Sequence, residues 1–433
     1  LNKAITTRQI IFMALGGSIG AGLMFASGNG LREGGPGTLI TGFSIVGFGV
    51  WCTMCALGEL SATFPVQGSF YDYSVRFISP SWGFAMGWNY VMNFILIVPF
   101  EITVMVLVAK YWKTDINSLW LVPVIITGLF GIAALGAKWY AEAEHAFGIL
   151  KVAILATFTI TAVVICAGGV PNDPRDAIGF EYWADGGAFT NGPRGFLLVF
   201  LAAGLAYGGT EMLGLTVAEC KHPQKVMPLA AKIVGGRILL CYLLPLFMVG
   251  LIVKPSVFLE EPFKGMSTVS PFVVAVRKAN IIILPDVINA VIFIAVFSMA
   301  NASIYASSRA LHAICAQGMG PRLFGKTTEK TRLPAWALGA VAVVCMLAFI
   351  NAAPKGDDIF DWLLALGSAS NYFTWMSICF AHLRMRWAMK RQGKTDVLKW
   401  KSPIGAWGSI ISIIISFVGL VAQLVSAILP RED

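Results

Sequence analysis

Charge is scarce in this chain. Asp, Glu, Lys and Arg make up 13% of its 433 residues, against 57% hydrophobic. A soluble domain of that length needs far more charge to cover its surface. Histidine is scarcer still, at four residues, and no arrangement of Ser, His and Asp suggests a hydrolase. HExxH does not occur. GPRLFGKT at 320–327 does fit GxxxxGK[ST], but it follows an apolar block rather than a predicted strand and so does not read as a P-loop. The single CxxC, Cys52 and Cys55, lies in an apolar run with no second pair. The eight cysteines therefore read as small hydrophobes, not as a disulfide scaffold or a metal site. Short alternating segments are missing, which excludes a transmembrane barrel. No loop is long enough for a soluble domain, and no low-complexity linker divides the chain.

What is present is apolar sequence in blocks. Uncharged stretches run over 119–135, 153–166, 238–253 and 410–429, within longer apolar blocks that supply the roughly 20 residues needed to cross a bilayer core. The blocks predict an all-α integral membrane protein of about eleven spans. They lie near 10–31, 36–57, 82–109, 118–137, 144–167, 194–218, 233–253, 284–308, 334–351, 359–383 and 404–429. No cleavable signal peptide is expected, because Lys3 and Arg8 flank a first block that is long and glycine-rich. The chain begins at Leu1, which reads as a trimmed tail.

Loop charge predicts a cytoplasmic N-terminus. The steepest contrast is between 384–401, with Arg384, Arg386, Lys390 and Arg391 among its basic residues, and 357–361, with Asp357, Asp358 and Asp361. The net charge of +9 is thus a matter of topology. It does not mark a nucleic-acid partner, since the basic runs sit beside spans rather than on a separate domain.

One irregularity recurs. The first span contains Gly16, Gly17, Ser18, Ile19, Gly20, Ala21 and Gly22, and the sixth contains Gly204, Leu205, Ala206, Tyr207, Gly208, Gly209 and Thr210. Two glycine-interrupted spans five helices apart are the pattern of an inverted repeat of five plus five helices. In hydrocarbon a helix opens only where its freed backbone groups find partners or line a polar cavity. Glycine permits the opening and lets a ligand approach the backbone. The exposed N–H groups of one half favour a carboxylate and the carbonyl end of the other favours an ammonium; a zwitterionic amino acid carries both. Packing of small residues between helices is the alternative explanation for these glycines.

The same segments carry a resemblance. "MALGGSIGAGLMFASGNGLREGGPG" (13–37), "GELSATFPVQGSFYDYSVRFISPSWGFAMGWNY" (58–90), "GTEMLGLTVAECKHPQKVMPLAAK" (209–232), "NASIYASSRALHAICAQGMGPRLFGK" (301–326) and "DWLLALGSASNYFTWMSICFAHLRMRWAMKRQG" (361–393) follow in order over essentially the whole chain. They resemble the amino-acid permeases of the amino acid–polyamine–organocation superfamily, closest to the fungal plasma-membrane branch. That resemblance implies a LeuT-like fold with broken helices 1 and 6, repeats over about 10–167 and 194–383, and a peripheral span at 404–429, all in a single domain. It implies import of amino acids by alternating access, driven by protons, with no cofactor and no metal. Its alternative is a non-transporting amino-acid sensor on the same scaffold. Family members have twelve spans, and this chain stops at Asp433, after the eleventh.

Carried over by position, the substrate carboxylate meets N–H groups around Ser18, Ile19, Gly20, Ala21 and Gly22. The ammonium meets carbonyls near Leu205, Ala206 and Gly208, and Tyr207 either covers the substrate or packs between helices. Ser298, Asn301, Ser303 and Tyr305 of span eight either steady the first break or bond their own backbone. In span ten, Ser368, Ser370, Asn371 and Trp375 stand where relatives face the substrate side chain, although relatives favour apolar or small residues at Asn371. Three ionisable residues lie well within spans, and each is a functional candidate by its cost in hydrocarbon. Lys151 either stands in for a sodium ion, as in related sodium-independent transporters, or snorkels to the interface from about two turns inside its helix. Glu101 accepts a proton, contacts a cationic substrate or forms a structural pair. Glu211 follows the second break and either caps a half-helix or takes part in coupling. The histidines, His145, His222, His312 and His382, sit at helix ends and loops and read as structural.

Overall fold

The computed structural model describes residues 7–66, 70–112, 116–184, 187–216, 223–259, 270–328, 333–352 and 356–428; His222 and Cys220 lie outside them. Among the described residues every regular element is helical. In chain order these are α1 (Thr7–Gly16), a π-helical turn Gly22–Ala26, α2 (Ser27–Thr63), α3 (Phe70–Phe77), α4 (Pro80–Lys110), α5 (Ser118–Leu135) and α6 (Ala137–Cys166). Then come α7 (Gly192–Ala206), α8 (Leu213–Thr216), α9 (Pro223–Arg237), α10 (Leu244–Ile252), α11 (Pro271–Lys278), α12 (Leu284–Ala316), α13 (Ala335–Cys345), α14 (Gly356–Arg391) and α15 (Gly405–Ile428).

Eight of the described helices are long and apolar enough to cross a membrane. One of them, Gly22–Thr63, runs for 42 residues, about twice a bilayer core at ~1.5 Å per residue. It turns at Gly35, whose φ of 77° is left-handed, and Pro36 follows. A side chain at Gly30 would touch Leu39 at 3.1 Å, which a straight helix forbids. The Gly35–Pro36 corner therefore separates the predicted first and second spans, and the segment before α7 fixes it. Gly37 N–H donates to Ala188 O at 2.8 Å and Thr190 N–H to Gly34 O at 3.0 Å.

Helix starts follow local chemistry. Ser79 caps α4 by accepting from Trp82 N–H, with Pro80 in the first turn, where its missing N–H costs nothing. Asn117 caps α5 through Leu119 N–H. Lipid-exposed positions stay apolar, as Trp120, Val124, Val343 and Phe417 do, because no water is available to offset a polar group there. α12 packs along α4, and α2 along α7. Small residues bring α1 and α6 together: a Cβ on Gly16 would lie 2.6 Å from the Gly148 Cα.

Several predicted boundaries shift, among them the start of the seventh span, from near 233 to Pro223, and the end of the tenth, from near 383 to Arg391. The fifth span begins at Ala137 rather than near 144, because Lys138, Glu142 and Glu144 break the apolar pattern without breaking the helix. Lys151 is thus deeper than two turns. The eighth continues to Ala316 for the same reason, through Arg309 and His312.

Candidate functional site

Both glycine clusters are true breaks. α1 ends at Gly16, and helical structure resumes only at the turn beginning at Gly22. α7 ends at Ala206, followed by Tyr207, Gly208 and a left-handed Gly209 (φ 85°) before a short 3₁₀ turn over Thr210–Met212. The two breaks face each other: a Cβ on Gly22 would lie 2.5 Å from Ala206 Cα. Ser18, Ile19, Ala21, Leu205, Ala206, Tyr207 and Thr210 are all buried, so the site is closed to solvent on both sides.

The predicted residues come together around these breaks. Ala21 N–H donates to the Glu101 carboxylate of α4, so a protein carboxylate holds one of the N–H groups expected to meet a substrate carboxylate. The second oxygen of Glu101, Oε2, is buried without a hydrogen-bond partner. Lys151 is fully buried, and its Nζ donates to Gly16 O at 3.0 Å and Ser298 Oγ at 2.8 Å. That geometry rules out snorkelling. The lysine instead meets a terminal carbonyl of α1, where the helix dipole favours a cation. Ser298 in turn donates to Glu144 at 2.8 Å.

At the second break the Glu211 carboxylate accepts from the N–H groups of Gly209 and Glu211 and from Trp375 Nε1 at 3.0 Å. It is a cap on the resumed half-helix, and one oxygen remains without a partner. Asn371 donates to Gly204 O at 3.1 Å and accepts from Asn93 at 2.9 Å, which ties α14 and α4 to the end of α7. Tyr207 donates to Phe43 O at 3.0 Å and stacks on Tyr242, ring centroids 4.7 Å apart. Ser368 donates to Leu201 O, a turn before the break, and accepts from Gln423 of α15. Ser303 bonds the Met299 carbonyl of its own helix, whereas Tyr305 stacks on Tyr140 at 4.2 Å.

Three residues of this centre carry no signal in the sequence. Glu144 and Arg237 lie among charged residues near span boundaries, where a buried charge resembles an interfacial one. Tyr242 resembles any span aromatic, yet its hydroxyl lies 3.0 Å from Ser18 O and 3.1 Å from Ala206 O and so bridges the two breaks. Among the described residues the centre holds three buried carboxylates, Glu101, Glu144 and Glu211, and two buried cations, Lys151 and Arg237. Lys151 interacts electrostatically with Glu144, Glu101 and Arg237, and Arg237 with Glu211.

Residues 9–433 match the family model described as amino acid permease. The chain belongs to the amino acid permease family. This permease is 39% identical over 439 residues to the general amino-acid permease GAP2 of Candida albicans, covering 100% of this chain and 74% of that protein. It is 39% identical over 444 residues to cationic amino acid transporter 1 of Schizosaccharomyces pombe, covering 99% and 74%. Among solved structures it is similar to MhsT, crystallised in complex with L-phenylalanine. The TM-score is 0.63 over 96% of this chain and 97% of that one, at 17% identity, so the permease shares the LeuT-like fold. The family is one of multi-pass membrane transporters rather than enzymes.

Proposed function

We propose that this permease imports amino acids across the plasma membrane by alternating access, with its N-terminus in the cytoplasm and the proton gradient as its driving force. The observation that carries the proton is the charge of the buried centre. Among the described residues three carboxylates face two cations there, and a buried net charge is costly. The centre becomes neutral on taking up one proton. Glu101 and Glu211 each keep one oxygen without a partner, and Glu101 is the better placed to receive the proton because its carboxylate occupies Ala21 N–H at the first break. A proton on Glu101 weakens that hold and frees the N–H for a substrate carboxylate. The substrate ammonium then lies toward the carbonyls of Leu205 and Ala206, and Tyr207 flanks it. Lys151 favours protons over sodium, because an ammonium on Gly16 O and Ser298 leaves a metal cation facing a like charge. The two breaks in spans one and six support paired units over about 10–167 and 194–383 that move against each other.

The test is uptake of labelled neutral, cationic and acidic amino acids into proteoliposomes, with and without an inward proton gradient and with and without sodium. Gradient-stimulated, sodium-independent uptake is expected. Sodium-dependent uptake indifferent to the gradient would overturn the coupling. Binding without uptake would favour a sensor on the same scaffold.

A further inference from the structure

Arg237 is 1% exposed, although the buried centre already contains a lysine. It stands at the end of α9, where span seven passes into a π-helical turn over Ile238–Leu243. Its Nη1 donates to Ala14 O at 3.0 Å and its Nη2 to Thr210 Oγ1 at 2.6 Å. Thr210 passes the contact on by donating to Tyr207 O at 2.7 Å. The guanidinium therefore meets a carbonyl of the last turn of α1 directly, and a carbonyl just past α7 through one hydroxyl. Both are C-terminal ends of half-helices, which carry partial negative charge and attract cations. Lys151 serves the first end from the opposite side, through Gly16 O. Tyr242, one and a half turns beyond Arg237 at ~3.6 residues per turn, lies under the guanidinium with its ring centroid 5.6 Å away.

We propose that Arg237 is a positioning residue for substrate: a permanent cation that ties the end of α1 to the span-six break and sets the spacing between the two. An arginine suits this role because its planar fork reaches two acceptors at once and keeps its charge when buried. The Thr210 hydroxyl is the second half of the device. It accepts from Arg237 and donates to Tyr207 O, so a valine in its place keeps the volume and breaks both links.

This inference rests on the amino-acid reading above. Its test is therefore run on both equilibrium binding and uptake of whichever amino acids the wild type binds. Purified wild type, Arg237→Gln, Arg237→Lys, Thr210→Val and the double variant Arg237→Gln/Thr210→Val are compared in proteoliposomes, with thermal unfolding measured in parallel. Arg237→Gln is expected to raise Kd and KM at least tenfold with a smaller change in the maximal rate. Thr210→Val should act in the same direction by a few-fold, and the double variant should be no weaker than Arg237→Gln, because both variants remove the Arg237–Thr210 link. Arg237→Lys should fall between. Wild-type Kd and KM in Arg237→Gln and Thr210→Val would overturn the proposal, as would losses that simply follow the unfolding midpoint. Should Arg237→Gln fail to fold, Thr210→Val alone decides. A wild type that binds no amino acid overturns the functional reading and this one with it; normal wild-type uptake with indifferent variants overturns this one alone.

Discussion

Replacing Lys151 with methionine isolates the coupling argument. Methionine keeps most of the apolar stem and removes the ammonium, which leaves Gly16 O and Ser298 Oγ without their donor. Glu144 and Glu101 also lose the cation that interacts with both. Breaking a buried charge pair from one side costs about 3–5 kcal/mol, because the partner is left uncompensated. At about 1.4 kcal/mol per tenfold, that is roughly two to three and a half orders of magnitude in the population of the closed state. Initial rates of uptake into proteoliposomes, with and without an inward proton gradient, are the assay. Gradient-driven uptake should fall at least a hundredfold, while detergent-solubilised protein remains folded. Pairing the change with Glu144→Gln should recover part of the loss, since the two sites share one interaction and are not additive. Gradient-stimulated uptake by Lys151→Met within about fivefold of wild type would refute the reasoning, because the ~3–5 kcal/mol of a buried pair would then be missing.

The remaining expectations address close contacts and hydrogen bonds around the same centre. Gly22→Ala places a methyl 2.5 Å from Ala206 Cα and 2.7 Å from its nitrogen. Such overpacking costs about 1–3 kcal/mol, so uptake should fall roughly tenfold or more, whereas Gly131→Ala, with nothing within 4 Å, should transport normally. Tyr207→Phe removes one bond, to Phe43 O, and at about 0.5–1.5 kcal/mol should raise KM by roughly two- to tenfold; a saturation curve checks it. Away from the breaks, Glu59 of α2 accepts from Arg386 at 2.8 and 2.6 Å and from Ser402 N–H at 2.6 Å, with His382 Nε2 3.3 Å away. Arg386→Gln should therefore destabilise by about 1.5–3 kcal/mol, seen as a lower unfolding midpoint in detergent, and should leave KM unchanged.

How far the site was legible depended on the kind of signal each residue leaves. Glycine clusters are local, and the need to open a helix in hydrocarbon turns Gly16–Gly22 and Gly204–Gly209 into a readable pattern. Lys151, Glu101 and Glu211 stood out because each is a charge inside an apolar run. Arg237 and Glu144 are as buried as those three, but they lie close enough to other charges that hydropathy assigns them to an interface. Tyr242 and Asn93 left no trace at all, since a tyrosine or asparagine within a span has many uses. Only the residues across from them, Ser18, Ala206 and Asn371, give them a role.

Hydropathy alone determined that the chain is a helical membrane protein. The ordered motifs placed it among permeases, and the paired glycine interruptions located the breaks. These properties follow from short-range sequence, because a bilayer imposes span length and backbone satisfaction one helix at a time. The tertiary structure decided which oxygens Lys151 meets, that Ala21 N–H is held by Glu101, and that Arg237 joins Ala14 to Thr210. These contacts link residues more than a hundred positions apart in most cases, and a charge buried in hydrocarbon acquires its meaning from the partner that compensates it.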